Sequence, residues 1–389
     1  MTRRQLYSLF LCSLAVWTAG NGLVPLLPVY ARQLGADPAT AGYYLAFSYA
    51  ALAVGALAAG WVSDRLQRRK APVVVAGLAT VPITWLMGRV GNIWALSALT
   101  AALWFCGGLT LALLGILTGL SAGEGERGKI FGIISLASGL GSLVGGLGTG
   151  FVADRWGFPA MFTAVAVWVV IWPLAGIALA EKELKRAPGE SVRAGPGSGL
   201  GGSYPYLLAA SLVAAIAGFV IVLGRSLLMS GLGFGAMAIA TTGAVGGIVA
   251  MPVPPLVGRL SDRVGRKRFL YLAYLAGMAS LALLTVAKSL WQFCLVLALQ
   301  GVFMAVNAVV GNALVTDLVP RESLGRRLSL FGAMPWIGGI VGFAGAGYAL
   351  QRLGTLPTFL IGIGLVAMAM VLLIPIRGPD TSCPPYQGG

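Results

Sequence analysis

Ionisable side chains cut this chain into twelve long uncharged windows: residues 5–31, 38–63, 71–88, 90–123, 130–153, 156–180, 194–224, 226–258, 269–287, 289–316, 328–351 and 353–376. The shortest holds 18 residues. A helix rises ~1.5 Å per residue, so about 20 residues cross ~30 Å of hydrocarbon and each window can span a bilayer once. Strands of an outer-membrane barrel would read as roughly 10-residue alternating segments, which these are not. The expected fold is an all-α integral membrane protein with twelve transmembrane helices, spans 1 to 12. Composition agrees: 58% of the 389 residues are apolar and 10% are charged, against about 45–50% and about 25% in a soluble domain. That balance argues against a soluble enzyme. The start Met1-Thr-Arg-Arg-Gln followed by apolar residues mimics a signal peptide, yet its apolar stretch runs to Tyr30, well past the 7–15 residues typical of a signal core. It is read as span 1.

Basic residues set the orientation. With the N-terminus in the cytoplasm, Arg3, Arg4, Arg65 to Lys70, Arg127, Lys129, Lys182 to Arg193, Arg259 to Arg268, Arg321 to Arg327 and Arg377 face inward, 21 in all. The other side receives six: Arg32, Arg89, Arg155, Arg225, Lys288 and Arg352. The positive-inside rule therefore places both termini in the cytoplasm of a plasma (inner) membrane. It also explains the net charge of +15 without nucleic acid as a partner. The chain has no His, which removes the commonest metal ligand and general base. Cys12, Cys106, Cys294 and Cys383 show no CxxC spacing, so no disulfide framework, metal centre, cofactor or catalytic residue is expected. The partners expected are the lipid bilayer and a small-molecule substrate, with the protein as a monomer.

A segment rich in Gly, Pro and Ser, residues 181–203, reads as a flexible cytoplasmic linker between a first half (1–180) and a second half (204–376), with a tail at 377–389. The halves repeat. An offset of 198 lays Gly60-Trp-Val-Ser-Asp64-Arg65 on Gly258-Arg-Leu-Ser-Asp262-Arg263, and an offset of 197 lays Gly141, Gly145, Gly148, Gly157 and Phe162 on Gly338, Gly342, Gly345, Gly354 and Phe359. Six spans per half make the repeat parallel, about an axis along the membrane normal.

The loop between spans 2 and 3 runs Gly60-Trp-Val-Ser-Asp64-Arg65-Leu-Gln67-Arg68-Arg69, and the loop between spans 8 and 9 runs Gly258-Arg-Leu-Ser-Asp262-Arg263-Val-Gly265-Arg266-Lys267. Both resemble the G-x-x-x-D-R-x-G-R-R/K signature of the major facilitator superfamily of secondary transporters. Gln67 departs from the usual Gly. Physically, Gly60 and Gly258 are expected to admit a neighbouring helix closely, Asp64 and Asp262 to meet a positive helix end, and Arg266 to pair with Asp317. The resemblance implies that these clusters hold an inner gate shut. In span 5, Gly132, Gly141, Gly145, Gly146 and Gly150 resemble the glycine motif of drug-exporting members, with Gly146 in place of Pro and Thr149 in place of Gly. Because Gly338, Gly342 and Gly345 repeat the spacing in span 11, symmetric helix packing by Gly141, Gly145, Gly338 and Gly342 is read ahead of an export-specific element.

The resemblance also implies a substrate cavity between the halves at mid-membrane. Its candidates are Trp17 and Asn21 on span 1, Trp104 on span 4, Ser135 and Ser138 on span 5, and Gln300 and Asn307 on span 10. The asparagines serve equally as bridges between helices. Arg225 is expected to snorkel to the outer interface or, facing the cavity, to attract an anionic substrate. All twelve acidic residues map to loops or helix ends, which argues against a carboxylate proton relay. The functions expected are export of a neutral or amphipathic compound by alternating access, uptake of a polar or anionic metabolite, or sensing without transport on the same fold. The orientation has a direct check: Cys383 should react with a membrane-impermeant thiol reagent in inside-out vesicles and stay unlabelled in intact cells.

Overall fold

The computed structural model describes residues 2–66, 69–121, 127–180, 202–319 and 323–376. The linker up to residue 201, the tail, Gln67 and Arg68 lie outside them. Fourteen helices follow in chain order: α1 (Arg3–Leu23), α2 (Leu27–Gln33), α3 (Pro38–Leu66), α4 (Lys70–Met87), α5 (Ile93–Ser121), α6 (Arg127–Val169), α7 (Ile171–Ala178), α8 (Tyr204–Gly231), α9 (Ala236–Ala250), α10 (Val253–Val264), α11 (Arg266–Val286), α12 (Leu290–Leu318), α13 (Leu324–Arg352) and α14 (Thr355–Leu372). Span 1 breaks at Pro25 into α1 and α2, and span 8 breaks at Pro252 into α9 and α10, as expected where proline withholds an amide and crowds the preceding turn.

Among the described residues, eleven apolar runs are long enough to cross a bilayer, and one of them, Gly132–Ala178, has 47 residues. At ~1.5 Å per residue it would be more than twice the hydrocarbon thickness. Gly157 resolves this with φ 80° inside α6, a conformation that favours glycine. After it the chain turns back. Pro159 and Phe162 lie beside Gly88 at one end of α4, and Trp172 lies beside Gly77 further along the same helix. The run therefore supplies two crossings, for a total of twelve. The break falls after Asp154 and Arg155 instead of at them. Likewise α8 runs through Arg225 and ends at Gly231, so that charge sits inside a helix and does not mark its boundary.

Within each half, small residues let helices approach at backbone distance. In the first half α1 lies along α6, where a Cβ on Gly141 would come within 2.8 Å of Thr18 N and one on Gly22 within 2.8 Å of Gly145 O. Thr149 Oγ1 donates to Gly22 O across the same seam at 3.0 Å. In the second half α13 lies along α8, with Gly338 against Ala215, and a Cβ on Gly342 would come within 2.8 Å of Ile216 O. Helices in lipid gain little by hiding apolar surface from one another, so close packing of this kind joins them. The expected close approach at Gly60 is found elsewhere: nothing lies within 4 Å of a Cβ on Gly60 or Gly258, whereas one on Gly55 would stand 3.0 Å from Phe105 C and one on Gly108 3.0 Å from Leu52 C.

The first six spans meet the last six from about mid-span, where Ser142 of α6 lies on Gly247 of α9 and Tyr49 of α3 on Gly339 of α13, to the end of the bundle opposite the ends of α1 and α14 that lead to the termini. There Gly42 of α3 lies on Gly347 of α13, and Gly146 and Gly150 of α6 lie on Ala240 and Ala244 of α9. Towards the termini end the two sets diverge, and α10 packs on α11 and α12 of its own set. Gly145→Leu should force α1 off α6, because even a methyl group there meets backbone at Thr18 and Gly22. A loss of about 1–3 kcal/mol is expected, read as a lower melting temperature in detergent, whereas Gly148→Leu, with open space around it, should melt as wild type.

Candidate functional site

Where the halves diverge, a small pocket opens on the interface side of the first six spans. Trp17, Asn21 and Val24 line it from α1 and its C-terminus, Tyr49 and Leu52 from α3, Leu103, Trp104 and Leu111 from α5, Trp172 from α7 and Trp336 from α13. Trp104 is only 5% exposed. Tyr49, Phe219 and Phe343 stack over the pocket at the closed end, with ring centroids 4.9–5.0 Å apart. These rings come from α3, α8 and α13, so the plug joins both halves. No lining residue is charged. Among the described residues, neither the Tyr49 hydroxyl nor the indole N–H groups of Trp17, Trp104 and Trp336 have a protein hydrogen-bond partner. The pocket thus offers apolar area with a few donors at its rim, which suits a hydrophobic body carrying an isolated polar group.

The sequence candidates divide. Trp17, Asn21 and Trp104 come together in this pocket; the others do not. Asn21 is largely committed: its Nδ2 donates to Ser142 Oγ at 2.8 Å and to Ser138 O at 3.2 Å, binding α1 to α6. Ser135 is exposed and donates to Gly132 O within its own helix. In the second half Asn307, 3% exposed, donates to Ser211 Oγ at 3.2 Å and accepts from Tyr274 OH at 3.0 Å. Gln300 Nε2 donates to Gly218 O at 3.3 Å. Both side chains tie α12 to neighbours in their own half. Tyr49, Trp172 and Trp336 were not singled out from the sequence, since an aromatic residue in an apolar helix carries no mark of the side it faces.

Arg225 neither snorkels nor enters the pocket. It is 1% exposed and its guanidinium turns into the second half, where Nη1 donates to Ile239 O at 2.9 Å and to Thr242 Oγ1, and Nη2 to Ser226 Oγ at 3.1 Å. Its Nε has no partner, and among the described residues no carboxylate pairs with it. The position explains the burial: Arg225 stands six residues before the end of α8, facing α9 and not the lipid.

The signature loops lie at the termini end. Gly265 turns the chain between α10 and α11 with φ 104°, the left-handed region that glycine tolerates, and Arg266 Nη1 meets Asp317 Oδ2 at 2.7 Å. Both partners belong to the second half, so this pair staples α11 to α12 and does not bridge the halves in this conformation. In the first copy Arg69 Nε donates to Ser63 Oγ at 2.7 Å. Arg65 is exposed and stacks over Trp61 at 5.2 Å, while the side chains of Asp64, Arg68, Asp262 and Arg263 lie outside the described residues. Of the expected gate residues, Arg266 and Asp317 are the described pair, and they meet within one half.

The sequence profile of the Major Facilitator Superfamily matches residues 9–287 and again 207–388. A multidrug resistance protein, MdtG, of Klebsiella pneumoniae is 26% identical over 377 residues, covering 92% of this chain and 90% of that one. MdtG of Dickeya zeae is 25% identical over 315 residues, covering 77% and 76%. Among solved structures, a bacterial homologue of the human lysosomal transporter Spinster, inward-facing and unoccupied, superposes with a TM-score of 0.74 at 14% identity over 96% of this chain and 97% of that one. A POT family transporter in complex with 5-aminolevulinic acid reaches 0.78 at 12% identity, covering 95% and 94%. The bridging role of Asn307 can be checked independently of any ligand. Asn307→Leu should remove two buried bonds, cost about 1 kcal/mol and lower the melting temperature, with ligand binding in the aromatic pocket unchanged.

Proposed function

Because the chain belongs to the Major Facilitator Superfamily and is a multi-pass membrane transporter, we propose that it exports a neutral or amphipathic organic compound by alternating access. The observation that carries this reading is the uncharged, Trp-lined pocket at the divergence of the halves. A polar metabolite would find the Asn21 amide N–H groups already spent on Ser142 and Ser138, leaving it only a few isolated donors and the Tyr49 hydroxyl. An anion would find no cation among the lining residues. The relatives that cover most of the chain are multidrug resistance proteins, which supports export over uptake.

The positive-inside count favours both termini in the cytoplasm, and in that orientation the pocket opens inward, ready to take a compound from the cytoplasm or the inner leaflet. The two six-helix halves, 1–180 and 204–376 with the linker between them, act as the bodies that rock about it. Trp17, Trp104 and Tyr49 hold the compound by aromatic contact, and Trp336 brings the second half onto it. Asn21, Gln300, Asn307 and Arg225 position helices. The monomer is the working unit, and the protein moves its solute without chemistry on it. No acidic residue lines the pocket among the described residues, so transport proceeds without a carboxylate relay inside the cavity.

Inside-out vesicles containing the protein should take up a neutral amphipathic fluorophore faster than empty vesicles. Trp104→Ala should raise the KM about tenfold, the equivalent of losing about 1.4 kcal/mol of aromatic contact, and should lower the melting temperature as well, because the side chain is largely buried. Equal uptake by wild type, Trp104→Ala and empty vesicles across a panel of neutral, cationic and anionic probes would overturn the reading.

A further inference from the structure

The closed end carries a second layer of order. The offset of 197 that matches the glycines also places Asp154 on Gln351, and the offset of 198 places Asp37 on Gly235. Each of these four residues stands where one half meets a helix start of the other. Asp154, near the end of span 5, receives Ala236 N–H on Oδ1 at 2.6 Å and Met237 N–H on Oδ2 at 2.9 Å. Those are the first two amides of α9, which no other carbonyl within the helix can satisfy. Gln351, near the end of span 11, accepts Ala39 N–H on Oε1 at 3.1 Å and donates from Nε2 to Asp37 Oδ2 at 3.0 Å. Asp37 caps its own helix through Thr40 N–H at 2.7 Å, a bond that also holds its carboxyl below the usual carboxylate range.

The two ends are therefore built alike, with the carboxylate moved. At α3 the cap is the helix's own Asp37 and the opposing half supplies an amide. At α9 the position of the cap is Gly235, which has no side chain, and the opposing half supplies the carboxylate. The space matches: a Cβ on Gly235 would come within 2.9 Å of Asp154 Oδ2. A capping carboxylate at a helix N-terminus gains both hydrogen bonds and the favourable end of the helix dipole. Because the bonds of Asp154 and Gln351 cross between the halves, they exist only while this end is closed.

We propose that Asp154 and Gln351 are a paired latch on the closed end, and that release of both caps is the step that lets this side open during transport. The proposal rests on the alternating-access reading for its role in transport, but its test reads conformation without a substrate. In a cysteine-free background, spin labels at Trp94 and Lys288, exposed residues of opposite halves at this end, report the separation by pulsed electron resonance. Asp154→Ala should raise the population of the longer distance about tenfold, the shift expected for one lost cap, and Gln351→Ala should act in the same direction. The double change Asp154→Gln with Gly235→Asp rebuilds at α9 the arrangement found at α3 and should return the distribution to that of wild type. A latch that merely supported folding would lower the melting temperature and leave the distances alone. Unchanged distances in both single variants, each monodisperse in detergent, would overturn the latch. Failure of the double change to restore the short distance where Asp154→Ala had lost it would overturn the exchange of carboxylate between the two caps. Absence of fluorophore transport with an intact latch response would instead count against the export reading alone.

Discussion

In hydrocarbon a helix satisfies its backbone by itself, and neighbouring helices gain nothing from excluding water, so the places where two backbones can touch decide the architecture. Here those places are glycines and alanines at repeat-related positions. Gly141 and Gly22 seat α1 on α6, Gly338 and Gly342 seat α13 on α8, and Gly42 with Gly347, like Ala240 with Gly150, closes one end between halves. Everything else in the bundle follows from which of these seams persist. The seams within a half run along whole helices. Those between halves run from the closed end to about mid-span, and the pocket lies beside the ring cluster of Tyr49, Phe219 and Phe343.

The division of polar groups follows the same line. A polar side chain buried among helices needs a partner, since an unmade hydrogen bond costs more than a made one gains. Asn307, Gln300 and Asn21 find theirs on adjacent helices of the same half, which leaves the pocket to indole and phenol groups. Arg225 is the extreme case. With carbonyl and hydroxyl partners but no carboxylate among the described residues, it binds α9 to α8 at a desolvation cost, and its charge is withheld from the pocket.

Much of this was legible in the sequence. Uncharged windows between ionisable residues located the spans because charge at bilayer depth is expensive, and they failed in detail where a charge is nevertheless buried. Arg225 lies within α8, and Asp154 and Arg155 lie before the turn at Gly157. The repeat was visible through its glycines and its loop motifs. The pocket was visible only in part: Trp17, Asn21 and Trp104 were nominated, whereas Tyr49, Trp172 and Trp336 were not, because which face of an all-apolar helix looks inward is set by packing partners far away in sequence. The expected role of Gly60 and Gly258 depends on conformation. With the termini end open, nothing stands near them.

Energy coupling turns on where carboxylates stand relative to the moving parts. A proton relay needs a group that loses its partner as the cavity changes sides, so that its affinity for a proton differs between the two states. The pocket supplies no such group among the described residues. The Asp317–Arg266 pair is not broken by rocking, because both residues belong to the same half. Asp154 is different in kind. Its partners, the amides of Ala236 and Met237, belong to the other half, so opening the closed end must strip both from it at once. Asp37 keeps Thr40 N–H through the same motion and loses only Gln351. The asymmetry between two otherwise matched caps therefore concentrates the hydrogen bonds lost on gate opening at one side chain at the rim, outside the uncharged pocket. A solute with no charge of its own can pass beneath it without pairing to it.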